Sequence, residues 1–308
     1  MAPLNKEDLL PEINLRDGSR MRYLKIGRGQ PVVLLHGFGL NASHWQPFIA
    51  RYINKYCFVI PDFRGHGKSF LAPFTRPNYP FQELCEDLDE LVEHLGIDKF
   101  GMVGFSMGAV VGLHYILYYA KGRVDRYMHI EAGPKFLSDE NWDMGFNPLA
   151  VNQARNLMEE FSHEFDPHET LERLPSKFIQ CYRDFVWNLA LISWPPGTLS
   201  KLLRKIPHFL CQPWLPHWHI GCTIFDYLLK EGYDLCSDMN QIKIPVTLVG
   251  AEKTEFFPVN SIHWMNDHID KTKLVLFNKS GHGLMYSEPI KFVSSLGSFL
   301  NQSADSQA

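Results

Sequence analysis

The chain has 308 residues, 45% of them apolar and 21% charged, with 30 Lys and Arg against 34 Asp and Glu. That length allows two domains or one domain with a large insertion, the near-neutral charge removes the electrostatic case for nucleic acid, and the apolar content excludes a mainly disordered chain. No stretch approaches the ~18 consecutive apolar residues of a membrane span, and the opening MAPLNKEDLLPEINL lacks the apolar run of a secretory signal.

In chain order, Asp17-Gly18 separates two short alternating runs, the strongest short hairpin signal. Residues 31–35 (PVVLL) form a continuous apolar run that stops at His36-Gly37. Runs of the same form recur at 57–60, 100–103, 127–130, 246–249 and 274–277. Strands buried on both faces and spaced by helix-length segments predict a parallel sheet with crossover helices. From Phe81, the apolar positions Leu84, Cys85, Leu88, Leu91, Val92 and Leu95 make the stripe of a helix packed on one side. Residues 107–120 are apolar nearly all round, which predicts a central buried helix. Between 135 and 241 the pattern breaks into amphipathic helices and Pro-rich turns with no clear strand. The expected organisation is an α/β sheet domain, 1–134 and 242–308, carrying a helical cap at 135–241. Six cysteines, at 57, 85, 181, 211, 222 and 236, show no metal spacing. They predict reduced packing thiols in a cytoplasmic protein.

Gly104-Phe105-Ser106-Met107-Gly108 fits G-x-S-x-G between a predicted strand and a predicted helix, the context of a nucleophile elbow. Three further motifs stand in the family's chain order around it: His36-Gly37-Phe38-Gly39, Asp62-Phe63-Arg64-Gly65-His66-Gly67-Lys68-Ser69 and Gly281-His282-Gly283. On these four motifs the chain resembles the α/β-hydrolases over nearly the whole sheet domain. The resemblance implies Ser106 as nucleophile, His282 as its base, and the Phe38 and Met107 amides as the oxyanion hole. His36 is expected to brace its loop and to line the substrate pocket, and Asp62, Arg64 and His66 to hold a turn.

The third triad member departs from the family pattern. Thr254 stands where the resemblance expects Asp, and threonine carries no charge to offset an imidazolium. Three carboxylates keep the chain order Ser, acid, His: Glu131, Glu252 and Glu255. Glu131 is preferred, because it ends a strand where ligand chemistry sits in open α/β sheets. A charge beside a buried strand also needs a partner. Glu255 is the alternative, and a Ser–His dyad without an acid is the third.

Five of the seven Trp fall in the cap, and four of them, 187, 194, 214 and 218, lie after residue 180. With Phe105 these four are expected to line an apolar pocket. Leu199, Leu202, Leu203, Ile206 and Leu210 alternate with Lys201, Arg204 and Lys205, a basic face that leaves room for membrane contact. His217 and His219 lack a further metal-ligand pattern; no metal or cofactor is expected. The resulting expectation is a serine hydrolase acting on an apolar carboxylic ester, with a small-molecule partner and no nucleic acid. A lactonase, a C–C hydrolase, and a cofactor-free oxygenase or perhydrolase would use the same groups. A low-turnover receptor that keeps the pocket is the non-enzymatic alternative.

Overall fold

The structure, a computed structural model, describes residues 11–161, 164–194 and 216–302. Eight strands form one sheet: β1 (Glu12–Asn14), β2 (Arg20–Gly27), β3 (Gln30–Leu35), β4 (Tyr56–Pro61), β5 (Phe100–Phe105), β6 (Val124–Ile130), β7 (Val246–Ala251) and β8 (Thr272–Phe277). Their spatial order is β1-β2-β4-β3-β5-β6-β7-β8. The hairpin β1–β2 is antiparallel, β2 runs antiparallel to β4, and every other neighbour is parallel. Gly18 supplies the hairpin's left-handed residue at φ +85°.

The apolar runs are continuous because alternate residues feed two layers. Val33, Leu35 and Val59 enter one core, and Val32, Leu34, Phe58 and Ile60 the other. The first layer is covered by helix α1 (Pro80–His94), helix α2 (Met107–Tyr118) and the helices that follow β6. The C-terminal helix Pro289–Leu300 and the turn around Trp45 cover the second. Helix α1 starts with Pro at its first position. It ends in a Schellman motif: Gly96 at φ +61°, Ile97 N–H to Val92 O, Gly96 N–H to Glu93 O.

One face of α1 departs from its simple stripe. Glu83 and Asp87 are buried. They surround Arg64, whose guanidinium reaches both Asp87 oxygens at 2.6 and 2.7 Å, Asp17 at 2.7 Å and Glu83 at 3.3 Å. Asp62 accepts the Ala42 and Lys68 N–H groups at 2.6 and 2.7 Å. These groups hold the turn after β4 in place.

After β6 the chain leaves the sheet and returns at β7. Among its described residues this stretch carries helices joined by loops, with isolated bridges and no strand: α3 (Pro148–Glu160), α4 (Ser176–Ile192) and α5 (Trp218–Lys230). Helix α3 packs on α4 and α5. Asn147 caps α3 by accepting the Ala150 N–H, and its amide donates to Glu255 O, tying the stretch to the loop after β7. Among the described residues no helix is long and apolar enough to cross a membrane. Cys57, Cys85, Cys181, Cys222 and Cys236 are free thiols; Cys211 lies outside the described residues.

Candidate active site

The sheet order reverses at β3: the chain steps outward to β4 on one side and then to β5 on the other. Ligands in open α/β sheets collect at the carboxyl ends of strands flanking such a switch point. Here those ends carry the loop His36-Gly39 and Ser106.

Ser106 sits between β5 and α2 at φ 55°, ψ −120°, a backbone strained by roughly 1–3 kcal/mol for a residue with a Cβ. Two close approaches impose the turn. A Cβ on Gly108 would lie 2.5 Å from Leu35 O and 2.6 Å from His36 O, and one on Gly104 would meet the Gly108 carbonyl. The Ser106 N–H donates to Ile130 O at 2.9 Å, locking the turn to β6. Its side chain thus stands at the N-terminus of a buried helix, where the helix dipole favours negative charge.

His36 is fully buried; its Nδ1 donates to Gly37 O at 2.8 Å and its Nε2 accepts the Phe63 N–H at 3.0 Å. Burial pushes its pKa down to about 3, so it is neutral. It therefore shapes the loop that presents Phe38. The N–H groups of Phe38 and Met107 have no acceptor among the described residues, and both residues border the cavity that contains Ser106.

β6 ends at Ile130, and Glu131 turns the chain with φ 57°. Its N–H donates to Val249 O at 3.0 Å. One carboxylate oxygen accepts the Ala251 N–H at 2.6 Å, and the other lies 3.2 Å from His282 Nδ1. Both side chains are buried, at 3% and 4% exposure. Beneath the turn, the His129 ring contacts Ala132 O through Nε2 at 2.7 Å. Glu255, the alternative acid, is half-buried on the loop after β7 and is not brought to His282. Glu252 is exposed, and Thr254 Oγ1 accepts the Phe256 N–H at 3.3 Å.

His282 follows β8. The next residue, Gly283, donates its N–H to Ser193 O at 2.8 Å, joining the histidine loop to the end of α4. Ser106 and His282 face one cavity of about 590 Å³, a size that suits a small-molecule site. A larger groove, about 1150 Å³, runs past Leu24, Lys68 and Leu71. It contains neither residue.

Of the expected pocket residues, Phe105, Trp187 and Trp194 line this cavity. Two placements are corrected. His36 is sealed beneath its loop by its two hydrogen bonds. Trp218 is 2% exposed, donates Nε1–H to Glu169 O at 2.8 Å and borders the larger groove. Trp214 and the stripe 199–210 lie outside the described residues. The sequence reading missed the opposite wall: Phe136, Phe146, Phe256 and Phe257. Phe136 and Phe146 stack at 5.0 Å, and Phe146 meets Phe256 and Phe257 edge-on at 5.4 and 5.2 Å. Only the aromatic surplus hinted at this wall, since its members come from two distant loops.

Residues 30–289 match the model of the α/β-hydrolase fold. The chain is 25% identical over 276 residues to the pimeloyl-[acyl-carrier protein] methyl ester esterase of Legionella pneumophila, covering 90% of this chain and 97% of that protein. It is 25% identical over 304 residues to the non-heme chloroperoxidase CPO-A1 of Kitasatospora aureofaciens, covering 95% and 100% respectively. Among solved structures, an esterase from Exiguobacterium antarcticum shares the fold with a TM-score of 0.74 at 22% identity, over 94% of this chain and 99% of that one.

Proposed function

The chain belongs to the α/β-hydrolase fold family, and from that premise we propose that it is a serine hydrolase cleaving an apolar carboxylic ester through an acyl-enzyme. The esterase among its relatives supports a hydrolase. The observation that carries the finer reading is the Glu131–His282 pair at the same cavity as the strained Ser106.

Serine at its free pKa is a poor nucleophile and needs an adjacent base. With Nδ1–H directed at Glu131 Oε2, the His282 tautomer leaves Nε2 free to accept a proton. In the proposed cycle, Ser106 Oγ attacks the acyl carbon and its proton passes to Nε2. The tetrahedral oxyanion takes the Phe38 and Met107 N–H groups, each such donor being worth about 3 kcal/mol. The C–O bond to the alcohol breaks as Nε2 returns the proton to the leaving oxygen. Water then repeats the sequence against the acyl-enzyme, releasing the acid and restoring Ser106.

The aromatic cavity favours an apolar small molecule as partner, and the stretch 135–241 acts in this reading as a cap that supplies Trp187, Trp194 and Phe146 to its walls. Two measurements test the reading. A fluorophosphonate probe should label Ser106, located by peptide mass spectrometry. Ser106→Ala should lose both labelling and p-nitrophenyl ester hydrolysis; ester turnover retained by this variant sinks the proposal.

A further inference from the structure

We propose that Phe256 is a positioning residue: its ring face stabilises His282 in the protonated form that the reaction passes through. The inference rests on the role given to His282 above. The two rings have centroids 3.7 Å apart and planes within 6° of parallel. Stacked carbons sit about 3.5–4.0 Å apart, so this separation leaves almost no lateral offset. Two neutral rings prefer an offset or edge-to-face arrangement over such a sandwich. A cation over a phenyl face is attracted by the ring quadrupole. The geometry therefore suits imidazolium better than imidazole, and the gain appears only after Ser106 has passed on its proton. Phe105, the residue before the nucleophile, adds a second ring at 4.9 Å and 32°.

The Phe256 ring is held from several sides. Its carbonyl accepts the Asn147 N–H at 2.7 Å, its N–H donates to Thr254 Oγ1, and Phe146 meets the ring edge-on at 5.4 Å. Thr254 occupies the position where the resemblance expects an acid. The turn after β7 thus brings a π face to His282, while the carboxylate arrives from the end of β6.

The ionisable groups around His282 are few. Glu131 touches it. From the turn after β7, Glu252 and Lys253 are exposed and Glu255 is half-buried. On the histidine's own loop, Glu288 accepts the Ser280 hydroxyl at 2.5 Å. The Tyr233 and Tyr286 phenols share the cavity, both held neutral by burial, Tyr286 with its pKa pushed up to about 12.

The test is an NMR titration of the His282 imidazole, assigned by comparison with His282→Gln, in the full-length protein and in Phe256→Leu, Phe256→Met and Phe256→Tyr. Leucine and methionine keep apolar bulk without a π face. Both should lower the titration midpoint by about half a pH unit to one unit, and tyrosine should hold it within about 0.2 unit. An unchanged midpoint in Leu and Met, or an equal fall in Tyr, overturns the proposal. If Leu does not fold, as judged by its thermal melt, the Met and Tyr pair decides. The titration needs no substrate, so it is independent of labelling at Ser106 and separates failure of this inference from failure of the hydrolase reading.

Discussion

Glu131 and His282, 151 positions apart, meet at 3.2 Å with the glutamate's second oxygen already committed to the Ala251 N–H at 2.6 Å. That division of labour fixes which oxygen faces the ring. Glu131→Gln keeps the shape and removes the charge, so kcat toward p-nitrophenyl esters should fall by roughly 10³–10⁴-fold, as for other triad acids. Glu255→Gln should change kcat by less than about 2-fold, because a half-buried loop residue away from the ring is a surface substitution. Steady-state kinetics on the two variants decides the assignment, and a loss confined to Glu255→Gln reverses it.

On the proposed reading, the cavity wall formed by α4 limits the length of the acyl group. Val186 lines it, and Val186→Trp fills space close to the nucleophile. The kcat/KM for octanoate esters should drop at least about 10-fold, with acetate esters held within about 3-fold, since one added or lost methylene in an apolar pocket counts for 10-fold or more. A uniform loss across the chain-length panel would place the effect on folding or chemistry instead.

Gly108 has no room for a methyl group, because its Cβ would face two backbone carbonyls that cannot swing aside. Gly108→Ala should destabilise the fold by about 2–3 kcal/mol, seen as several degrees in Tm. The same displacement spoils the Ser106 turn, so labelling by a fluorophosphonate should slow in whatever protein remains folded. A variant with native Tm and native labelling contradicts the close packing described.

Three fully buried histidines make the fold acid-sensitive. Burial lowers the pKa of His36 and His66 to about 3 and of His129 to about 4. Above an unfolded value of about 6.5 neither state is protonated, so they add no pH dependence there. Below it the unfolded chain binds protons that the folded chain refuses, and stability is lost at roughly 1.4 kcal/mol per pH unit for each histidine. Thermal melts should be nearly flat from pH 8 to 7 and then fall steeply toward pH 4. A Tm unchanged between pH 7 and 5 rules this out.

Strands and motif order were legible because each depends on a local pattern. Residues 31–35 and 100–103 announce buried strands, Asp17-Gly18 the hairpin, and Gly104 to Gly108 the turn between β5 and α2. Glu131 was legible as a charge that needed a partner beside a buried strand. The rest depended on tertiary neighbours. Glu83 and Asp87 fall on what the α1 stripe treats as its polar side, and only the arrival of Arg64 from another loop explains their burial. The four-phenylalanine wall joins residues about 110–120 positions apart in sequence, which no periodicity can report. Composition places Trp218 in the pocket, but its Nε1–H donates to Glu169 O and the residue borders the larger groove instead.

The hydrogen bond from Gly283 to Ser193 O bears on how such a fold can diversify. The stretch between β6 and β7 cannot be exchanged without touching the histidine loop, since the end of α4 supplies an acceptor to the residue beside His282. A graft from a relative, or a length change upstream of Ser193, must return a carbonyl to that place or leave the histidine loop one tether short. A substitution along α3 leaves this tether untouched, whereas a change at the C-terminus of α4 acts on it directly.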